Sequence, residues 1–163
     1  MGYEQPADQT GPSVKSILFV CHGNICRSTM AEFVMKHLLE DAGLSDEIRI
    51  ESAATRNDEI GSDTHWGTKE ALDRHDIPYS RRHARRIRPS DYEDFDLIIG
   101  MDKENLRDLM TFFNNDPDGR ISLLLDWTGT HGNVADPWYT GDFETTYDDV
   151  DRGCRALLGN LSS

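Results

Sequence analysis

The sequence predicts an α/β protein, specifically a Rossmann-like three-layer sandwich in which a four-stranded parallel sheet has helices on both faces. Two observations support this fold class. Four short apolar runs have the continuous hydrophobicity of strands that are buried on both sides. Segments with apolar residues at helical spacing separate these runs, which is the order that parallel sheets require. A chain of 163 residues also buries about 70% of its unfolded surface, so it needs no disulfide or metal to fold.

The first half of the chain supplies two strands and two helices. A strand is predicted over residues 16–20, followed by a helix over 29–42 that Gly43 ends. A second strand is predicted over 48–54 and a second helix over 67–75.

The second half continues the alternation. The run Phe-Asp-Leu-Ile-Ile-Gly at 95–100 predicts a third strand, and residues 103–113 a helix. A fourth strand is predicted over 121–125, a long loop over 126–141 and a closing helix over 143–158. Ligands of such sheets bind beyond the carboxyl ends of the strands, so we expect the site in the loop after the first strand.

The chain is predicted to have a disordered N-terminal tail, residues 1–13, and a single domain, residues 14–163. The tail is polar and lacks the basic and apolar regions of a secretory signal. The three cysteines are too few for a disulfide framework, which favours a cytoplasmic location. They are Cys21, Cys26 and Cys154.

Charge and composition exclude several classes of function. The formal net charge of −13 disfavours nucleic acid and anionic membranes as partners, and no apolar run approaches the ~20 residues of a membrane span. The six histidines lack metal-ligand spacing, so we expect neither a metal nor another cofactor. Five arginines fall within residues 81–88; we interpret them as a solvated face that pairs with carboxylates, with a docking patch for acidic partners as the alternative.

The loop after the first strand has the features of a phosphate site. Residues 21–28 read Cys-His-Gly-Asn-Ile-Cys-Arg-Ser. The amides of a short turn and the helix N-terminus attract a phosphate dianion, and the planar fork of Arg27 fits two of its oxygens. A cysteine at a helix N-terminus beside an arginine has a pKa of roughly 3.5–7.5, against about 8.5 for a free cysteine. Cys21 is therefore predicted to attack phosphorus as a thiolate.

The long loop offers the proton that such an attack requires. A thiolate displacing an alkoxide or phenoxide forms a phosphocysteine and needs a general acid on the opposite side. Asp136 is the candidate, because Pro137 fixes the backbone that follows it. Trp138 and Tyr139 supply aromatic faces that can wall a pocket for a ring.

This combination resembles the low-molecular-weight protein tyrosine phosphatases from residue 17 to residue 158. Five segments carry the resemblance, namely Val-Cys-His-Gly-Asn-Ile-Cys-Arg-Ser at 20–28, Ser-Ala-Ala-Thr at 52–55, Ala-Arg-Arg-Ile at 84–87, Met-Asp-Lys-Glu-Asn-Leu at 101–106 and Asp-Pro-Trp-Tyr at 136–139. The resemblance implies the phosphotyrosine phosphatase I-like fold. It also implies hydrolysis of protein phosphotyrosine, and of small aryl phosphates, without a cofactor.

The resemblance assigns the catalytic roles. Cys21 is the nucleophile, Arg27 binds phosphate, and Asp136 protonates the leaving phenol and then activates water. Trp138 and Tyr139 line the substrate pocket. The remaining phosphate contacts come from the loop, whose residues are His22, Gly23, Asn24, Ile25, Cys26, Arg27 and Ser28.

Further roles concern support of the loop. Asn24 is expected to hold the strained loop with Ser28 and Ser52, and Ser28 to donate a hydrogen bond to the Cys21 sulfur. The resemblance also implies a reversible disulfide between Cys21 and Cys26 under peroxide, which would protect Cys21 from over-oxidation.

Two positions depart from the family pattern. Asp58 stands where many members carry an aromatic residue on the pocket wall, which predicts a less aromatic or more open pocket unless Trp66 compensates. Arg82 stands where members often carry a histidine of the loop-supporting network, and His83 is displaced by one residue. The support around Asn24 is therefore either rebuilt or weaker.

The expected partners are a phosphotyrosine-containing protein, with a tyrosine kinase among the candidates, and phosphate or another oxyanion in the loop. Two alternatives stay open. Arsenate reductases on this fold share the cysteine–arginine loop but relay a disulfide through further cysteines, and this chain has none between Cys26 and Cys154. A non-catalytic phosphate-binding regulator is the other alternative, which the departures near Asp58 and His83 leave open.

Overall fold

The computed structural model describes residues 13–161. Of the predicted N-terminal tail, residues 1–12 lie outside this range. The strands are β1 (Ser16–Cys21), β2 (Arg49–Ala54), β3 (Leu97–Gly100) and β4 (Ile121–Leu123). The α-helices are α1 (Arg27–Asp41), α2 (Trp66–Arg74), α3 (Asp91–Asp94), α4 (Lys103–Phe112), α5 (Pro137–Thr140) and α6 (Phe143–Leu161), and a 3₁₀ helix spans Leu124–Thr128.

The four strands form one parallel sheet in the order β2-β1-β3-β4. Strand β1 is central, and its residue Val20 pairs with Ala53 of β2 and with Gly100 of β3. All six residues of β1 are buried, as expected for a strand covered on both faces. The predicted four-stranded parallel sheet is confirmed.

Alternate residues of β1 belong to two separate cores, one on each face of the sheet. Phe19 packs in a core with residues of α1, α2 and α6, whereas Val20 packs in a core with residues of α3 and α4. This alternation follows from the two-residue period of a strand. It gives the three layers that the sequence predicts, and it places the carboxyl end of β1 between them.

The approach of α6 to the 3₁₀ helix depends on a glycine. A Cβ atom at Gly153 would lie 2.5 Å from Cγ of Leu124, which is fully buried. At Gly159, in the same helix, a Cβ atom would meet nothing within 4 Å. The two glycines therefore form a matched pair for testing this packing.

We expect Gly153→Ala to lower the free energy of unfolding by about 1–3 kcal/mol, because an added methyl group in a packed core displaces its neighbours. Gly159→Ala should leave stability unchanged or raise it by about 0.5 kcal/mol, since alanine favours the helix. Urea denaturation of both variants provides the measurement. Equal stabilities of the two variants would show that α6 does not pack closely against Leu124 at Gly153.

Two predicted strand boundaries are wrong. Strand β3 begins at Leu97 rather than at residue 95, because the apolar Phe95 caps α3, where its amide donates to Asp91 O at 3.1 Å. Strand β4 ends at Leu123 rather than at residue 125. The carboxylate of Asp126 accepts from the Leu123 amide at 3.0 Å and starts the 3₁₀ helix there.

Other boundaries shift by a few residues, as helix ends commonly do. Helix α1 begins at Arg27, two residues before the predicted start, so that the arginine belongs to the helix. Helix α2 begins at Trp66, after the ring of His65 accepts from the Gly67 amide at 3.0 Å. The short helices α3 and α5 were not predicted. Within residues 13–161, no helix is long and apolar enough to cross a membrane.

Candidate active site

The loop between β1 and α1 places a cysteine and an arginine at the carboxyl edge of the sheet. Cys21 is the last residue of β1 and Arg27 is the first residue of α1, and the side chains of both are about 3% exposed. Asn24 has a φ of 61°, a left-handed conformation that asparagine tolerates better than most residues. The chain can therefore turn within five residues from a strand into a helix.

The sulfur of Cys21 lies against Ser28. The Ser28 amide donates to Cys21 Sγ at 3.4 Å, and Ser28 Oγ lies 3.1 Å from the same sulfur. Ser28 Oγ also accepts a hydrogen bond from Asn24 Nδ2 at 2.8 Å. In the neutral thiol, the Cys21 S–H donates to Ser28 Oγ. Once the sulfur is a thiolate, the Ser28 hydroxyl carries the hydrogen between these two atoms and donates it to the sulfur.

Asn24 is held at both ends of its side-chain amide. Its Nδ2 also donates to Ser52 Oγ at 2.9 Å, and Ser52 donates to the buried carboxylate of Glu32 at 2.5 Å. Its Oδ1 accepts from the Arg82 guanidinium and from the Arg85 amide. The predicted partners Ser28 and Ser52 both contact Asn24. The support is rebuilt at position 82, because an arginine makes the contact there.

Arg27 is enclosed by negative charge. Its Nη1 lies 2.6 Å from Asp102 Oδ2, and its Nη2 lies 3.2 Å from Asp136 Oδ2. Burial acts to lower the pKa of Arg27, but Cys21, Asp102 and Asp136 outweigh it and raise the pKa above its ordinary value. The guanidinium is therefore held charged and oriented by these two carboxylates.

No role for Asp102 or Glu32 was predicted from the sequence. Asp102 caps α4, where its Oδ1 accepts from the Asn105 amide at 2.8 Å. A capping signal was visible in the sequence, but the proximity to Arg27 arises because β3 lies beside β1. Glu32 gave no local signal, since a glutamate in a helix is usually solvated.

The candidate general acid faces Arg27 from a segment anchored to α6. Asp136 caps α5, and its carboxylate accepts from the Trp138 amide at 3.0 Å. The preceding residue, Ala135, donates its amide to Asp149 at 3.0 Å and accepts from Thr146 Oγ1 at 2.8 Å. These bonds hold the Asp136 carboxylate over the loop.

A cavity of about 260 Å³ lies above the loop and collects most of the predicted site residues. Its walls are formed by Cys21, His22, Gly23, Ile25, Cys26, Arg27, Asp58, Glu59, Glu104, Asp136, Trp138 and Tyr139. Trp138 and Tyr139 are 64% and 85% exposed, so they stand at its mouth. Asn24, Ser28 and Ser52 are buried and do not line the cavity.

The wall near Asp58 is polar. Asp58 Oδ2 lies 2.8 Å from His22 Nε2, and both side chains are well exposed. Trp66 does not line the cavity; its ring stacks on His65 with a centroid separation of 5.4 Å. Trp66 therefore does not replace the missing aromatic residue at position 58. His131 pairs with Asp126 at 3.1 Å and does not line the cavity.

The other two cysteines are buried thiols. Burial raises the pKa of Cys26 to about 12, and the nearby Cys21 and Asp136 add to this effect. Burial likewise raises the pKa of Cys154, which is fully enclosed in the core. All three cysteines are unpaired.

The arginine run of residues 81–88 is not a uniform solvated face. Arg82 contacts Asn24, Arg85 pairs with Asp91 at 3.0 Å, and Arg86 donates to Thr55 O at 3.0 Å. Pairing with carboxylates was part of the prediction; contact with the phosphate loop was not. Across the described range, 13–161, no group of three or more His, Cys, Asp or Glu is arranged to hold a metal ion.

Comparison with known proteins yields a consistent set of relatives. The family model "low molecular weight phosphotyrosine protein phosphatase" matches residues 16–163. The low molecular weight protein-tyrosine-phosphatase YfkJ of Bacillus subtilis is 39% identical over 148 residues, which is 90% of this chain and 95% of that protein. The human low molecular weight phosphotyrosine protein phosphatase is 41% identical over 151 residues, with the same coverage of 90% and 95%.

Solved structures give the same result. The crystal structure of YfkJ superimposes with a TM-score of 0.87 and covers 91% of this chain and 95% of its own. The low molecular weight protein tyrosine phosphatase of Streptococcus pyogenes is 43% identical and superimposes with a TM-score of 0.83, covering 91% of this chain and 94% of its own.

Proposed function

Because the chain belongs to the low molecular weight phosphotyrosine protein phosphatase family, and is thus an enzyme that hydrolyses protein phosphotyrosine, we propose that it acts through a phosphocysteine formed at Cys21. One observation carries this proposal. The Cys21 sulfur, the Arg27 guanidinium and the Asp136 carboxylate meet at one cavity, with Arg27 3.2 Å from Asp136.

In the first step the Cys21 thiolate attacks phosphorus and the bond from phosphorus to the phenolic oxygen breaks. Arg27 and the loop amides bind the phosphoryl oxygens, whose charge they stabilise in the transition state. The substrate phosphate binds the Arg27 guanidinium beside Asp136, whose Oδ2 lies 3.2 Å from Arg27 Nη2. Asp136 then delivers its proton to the departing oxygen, so that a neutral phenol leaves.

In the second step a water molecule attacks the phosphocysteine. The Asp136 carboxylate takes the proton of that water, the phosphorus–sulfur bond breaks, and inorganic phosphate leaves. The Cys21 sulfur departs as a thiolate, which accepts hydrogen bonds from the Ser28 amide and hydroxyl. These donors stabilise the leaving sulfur.

The residues of the cavity wall influence which substrates are bound. Trp138 and Tyr139 offer exposed ring faces at the mouth, against which a phosphotyrosine ring can stack. Asp58 makes part of the cavity wall polar, which suits a less aromatic pocket. Small aryl phosphates therefore remain expected substrates beside phosphotyrosine-containing proteins, with a tyrosine kinase among the candidate partners.

The proposed chemistry also has consequences for the cellular location of the protein and for its domain organisation. A thiol nucleophile needs a reducing compartment, which supports the cytoplasm as the place of action. Residues 14–163 would act there as one phosphatase domain. The arsenate reductase alternative gains no support, since Cys154 is fully enclosed in the core and does not line the cavity.

We expect phosphate release from a phosphotyrosine peptide to proceed undiminished in excess EDTA, because the proposed steps use protein side chains alone. Malachite-green assays with matched phosphotyrosine and phosphoserine peptides provide the measurement. A phosphopeptide that binds without being turned over would instead support the non-catalytic regulator. Turnover that EDTA abolishes would contradict the mechanism.

A further inference from the structure

The large apolar side chains on the surface gather near the cavity. Among residues 13–161, the exposed ones are Ile60, Trp66, Trp138 and Tyr139. Trp138 and Tyr139 stand at the cavity mouth, where a phosphotyrosine ring can stack. Trp66 is 67% exposed and does not line the cavity. An exposed indole is typical of a surface that contacts a partner, so Trp66 is available for a part of the substrate other than its phosphotyrosine.

Ring contacts connect Trp66 to the mouth of the cavity. The His65 ring stacks on Trp66 with a centroid separation of 5.4 Å and meets Trp138 edge-on at 6.4 Å. It also stacks on Phe143 at 5.2 Å, and Phe143 lies 6.3 Å from Trp66. These four rings form one cluster, which we call the aromatic platform. The platform begins at the cavity mouth with Trp138 and extends outside the cavity to Trp66.

The aromatic platform is held firmly against the phosphate loop. The His65 amide donates to Ile25 O at 2.8 Å, and the His65 ring accepts from the Gly67 amide at 3.0 Å. Phe143 packs directly on Gly67, where a Cβ atom would lie 2.4 Å from its ring. Aromatic side chains that are fixed in place supply contact area at a low cost in conformational entropy. The platform is therefore suited to binding part of a substrate.

The surroundings of Trp66 are acidic. Trp66 and Phe143 line a second cavity, of about 240 Å³. The charged residues of this cavity are three carboxylates and one guanidinium, namely Glu70, Asp142, Glu144 and Arg74. Arg74 lies 2.6 Å from Glu144 and 3.7 Å from Glu70. Because the guanidinium is already paired, negative charge remains in excess beside the indole.

An arginine side chain fits both the ring and the charge. Its planar guanidinium stacks on an indole face and donates to carboxylates at its edge. The formal net charge of −13 repels a phosphate dianion at long range, and a cation near the phosphotyrosine offsets that repulsion. An acidic side chain would instead meet the excess of carboxylates. Charge complementarity therefore favours a basic substrate segment on the platform.

We propose that Trp66 is a specificity-determining residue, which binds an arginine close to the phosphotyrosine in the sequence of the substrate protein. The two indoles each lie within 6.4 Å of the His65 ring, and an extended chain advances about 3.3 Å per residue, which places the arginine about two to four residues from the phosphotyrosine. This inference rests on the proposed function, since the platform contacts a substrate only when phosphotyrosine occupies the cavity beside it.

The test compares phosphotyrosine peptides of one glycine–serine sequence. A single arginine is placed at each position up to about four residues on either side of the phosphotyrosine, and lysine, leucine and glutamate then replace it at the best position. We expect the best arginine to raise kcat/KM by about 2- to 30-fold over the arginine-free parent, mainly through KM. Lysine should give a smaller gain, because it lacks the planar fork, and leucine and glutamate should give none.

Two enzyme variants locate the effect. Trp66→Ala should remove the gain from arginine, whereas Ile60→Ala, which truncates an exposed apolar side chain outside the platform, should keep it. Hydrolysis of p-nitrophenyl phosphate should be unchanged in both variants, which shows that each is folded and active. A gain from arginine that persists in Trp66→Ala would overturn the proposal. So would a gain from leucine as large as the gain from arginine.

Binding to Cys21→Ser separates this inference from the proposed function. Titration calorimetry of the same peptides should show that the arginine peptide binds more tightly than its parent, and that Trp66→Ala in the same background removes the difference. A wild type that turns over no peptide, with this preference intact in Cys21→Ser, would refute the proposed function but not the role of Trp66. Self-association that depends on Trp66, with no preference among the peptides, would show instead that a second copy covers the platform, and the proposal would fail.

Discussion

Replacing Cys21 with serine is expected to abolish turnover, with kcat lower by at least about 10⁴-fold. A serine hydroxyl is far less acidic than a thiol, so the field that favours a thiolate at this position does not ionise it. Phosphate binding should survive, because Arg27 and its partners Asp102 and Asp136 are untouched. Steady-state hydrolysis of an aryl phosphate and titration with inorganic phosphate provide the two measurements.

The control for this substitution is Cys154→Ala. It removes a thiol that lies in the core away from the cavity, so kcat should stay close to that of the wild type even if the melting temperature falls. A Cys21→Ser variant that retained more than a few per cent of turnover would contradict nucleophilic catalysis at this residue. The same inactive variant should capture phosphotyrosine proteins from a lysate, which would identify the physiological substrate.

Removing the carboxyl group of Asp136 is expected to lower kcat by about 10²- to 10⁴-fold for phosphotyrosine, the usual contribution of a general acid. The loss should be much smaller for an aryl phosphate whose phenol is strongly acidic, because that leaving group departs without a proton. The measurement is a series of aryl phosphates, with the logarithm of kcat/KM plotted against leaving-group pKa for Asp136→Asn and the wild type.

Asp136→Asn is preferred to Asp136→Ala because the amide oxygen can still accept from the Trp138 amide and cap α5. Comparing the two variants separates the loss of the acid from the loss of the cap. Both variants also free Arg27 from one carboxylate, so affinity for inorganic phosphate should hold or rise. An equal loss across the whole series would mean that Asp136 does not protonate the leaving group.

Hydrophobic periodicity predicted the sheet and its principal helices because burial on both faces leaves a continuous apolar run. It failed where an apolar residue was buried by something other than a strand. Phe95 is in the core but follows α3, and Leu124 and Leu125 are in the core but belong to the 3₁₀ helix. In these cases a side-chain cap from Asp126 or a short helix decided the local conformation.

The residues that touch the reacting atoms are encoded locally, and so they could be found from the sequence. Cys21 and Arg27 lie within one short loop, and Asp136 precedes a proline and two aromatic residues. The residues that support them come from distant segments. Glu32, Arg82 and Asp102 reach the loop through sheet order and helix packing. For Arg82, the available signal was that it stands where members of the family often carry a histidine.

Direct observation of the phosphoenzyme tests the central claim, that Cys21 carries the phosphoryl group during turnover. Asp136→Asn should slow the second step, because that step uses the Asp136 carboxylate as its base. The variant is mixed with an aryl phosphate of good leaving group and quenched in denaturant, and its peptides are sequenced by mass spectrometry. We predict one phosphoryl group on Cys21, formed in a burst that matches the released phenol. Phosphate release with an unmodified Cys21, or a phosphoryl group on another residue, would contradict the mechanism.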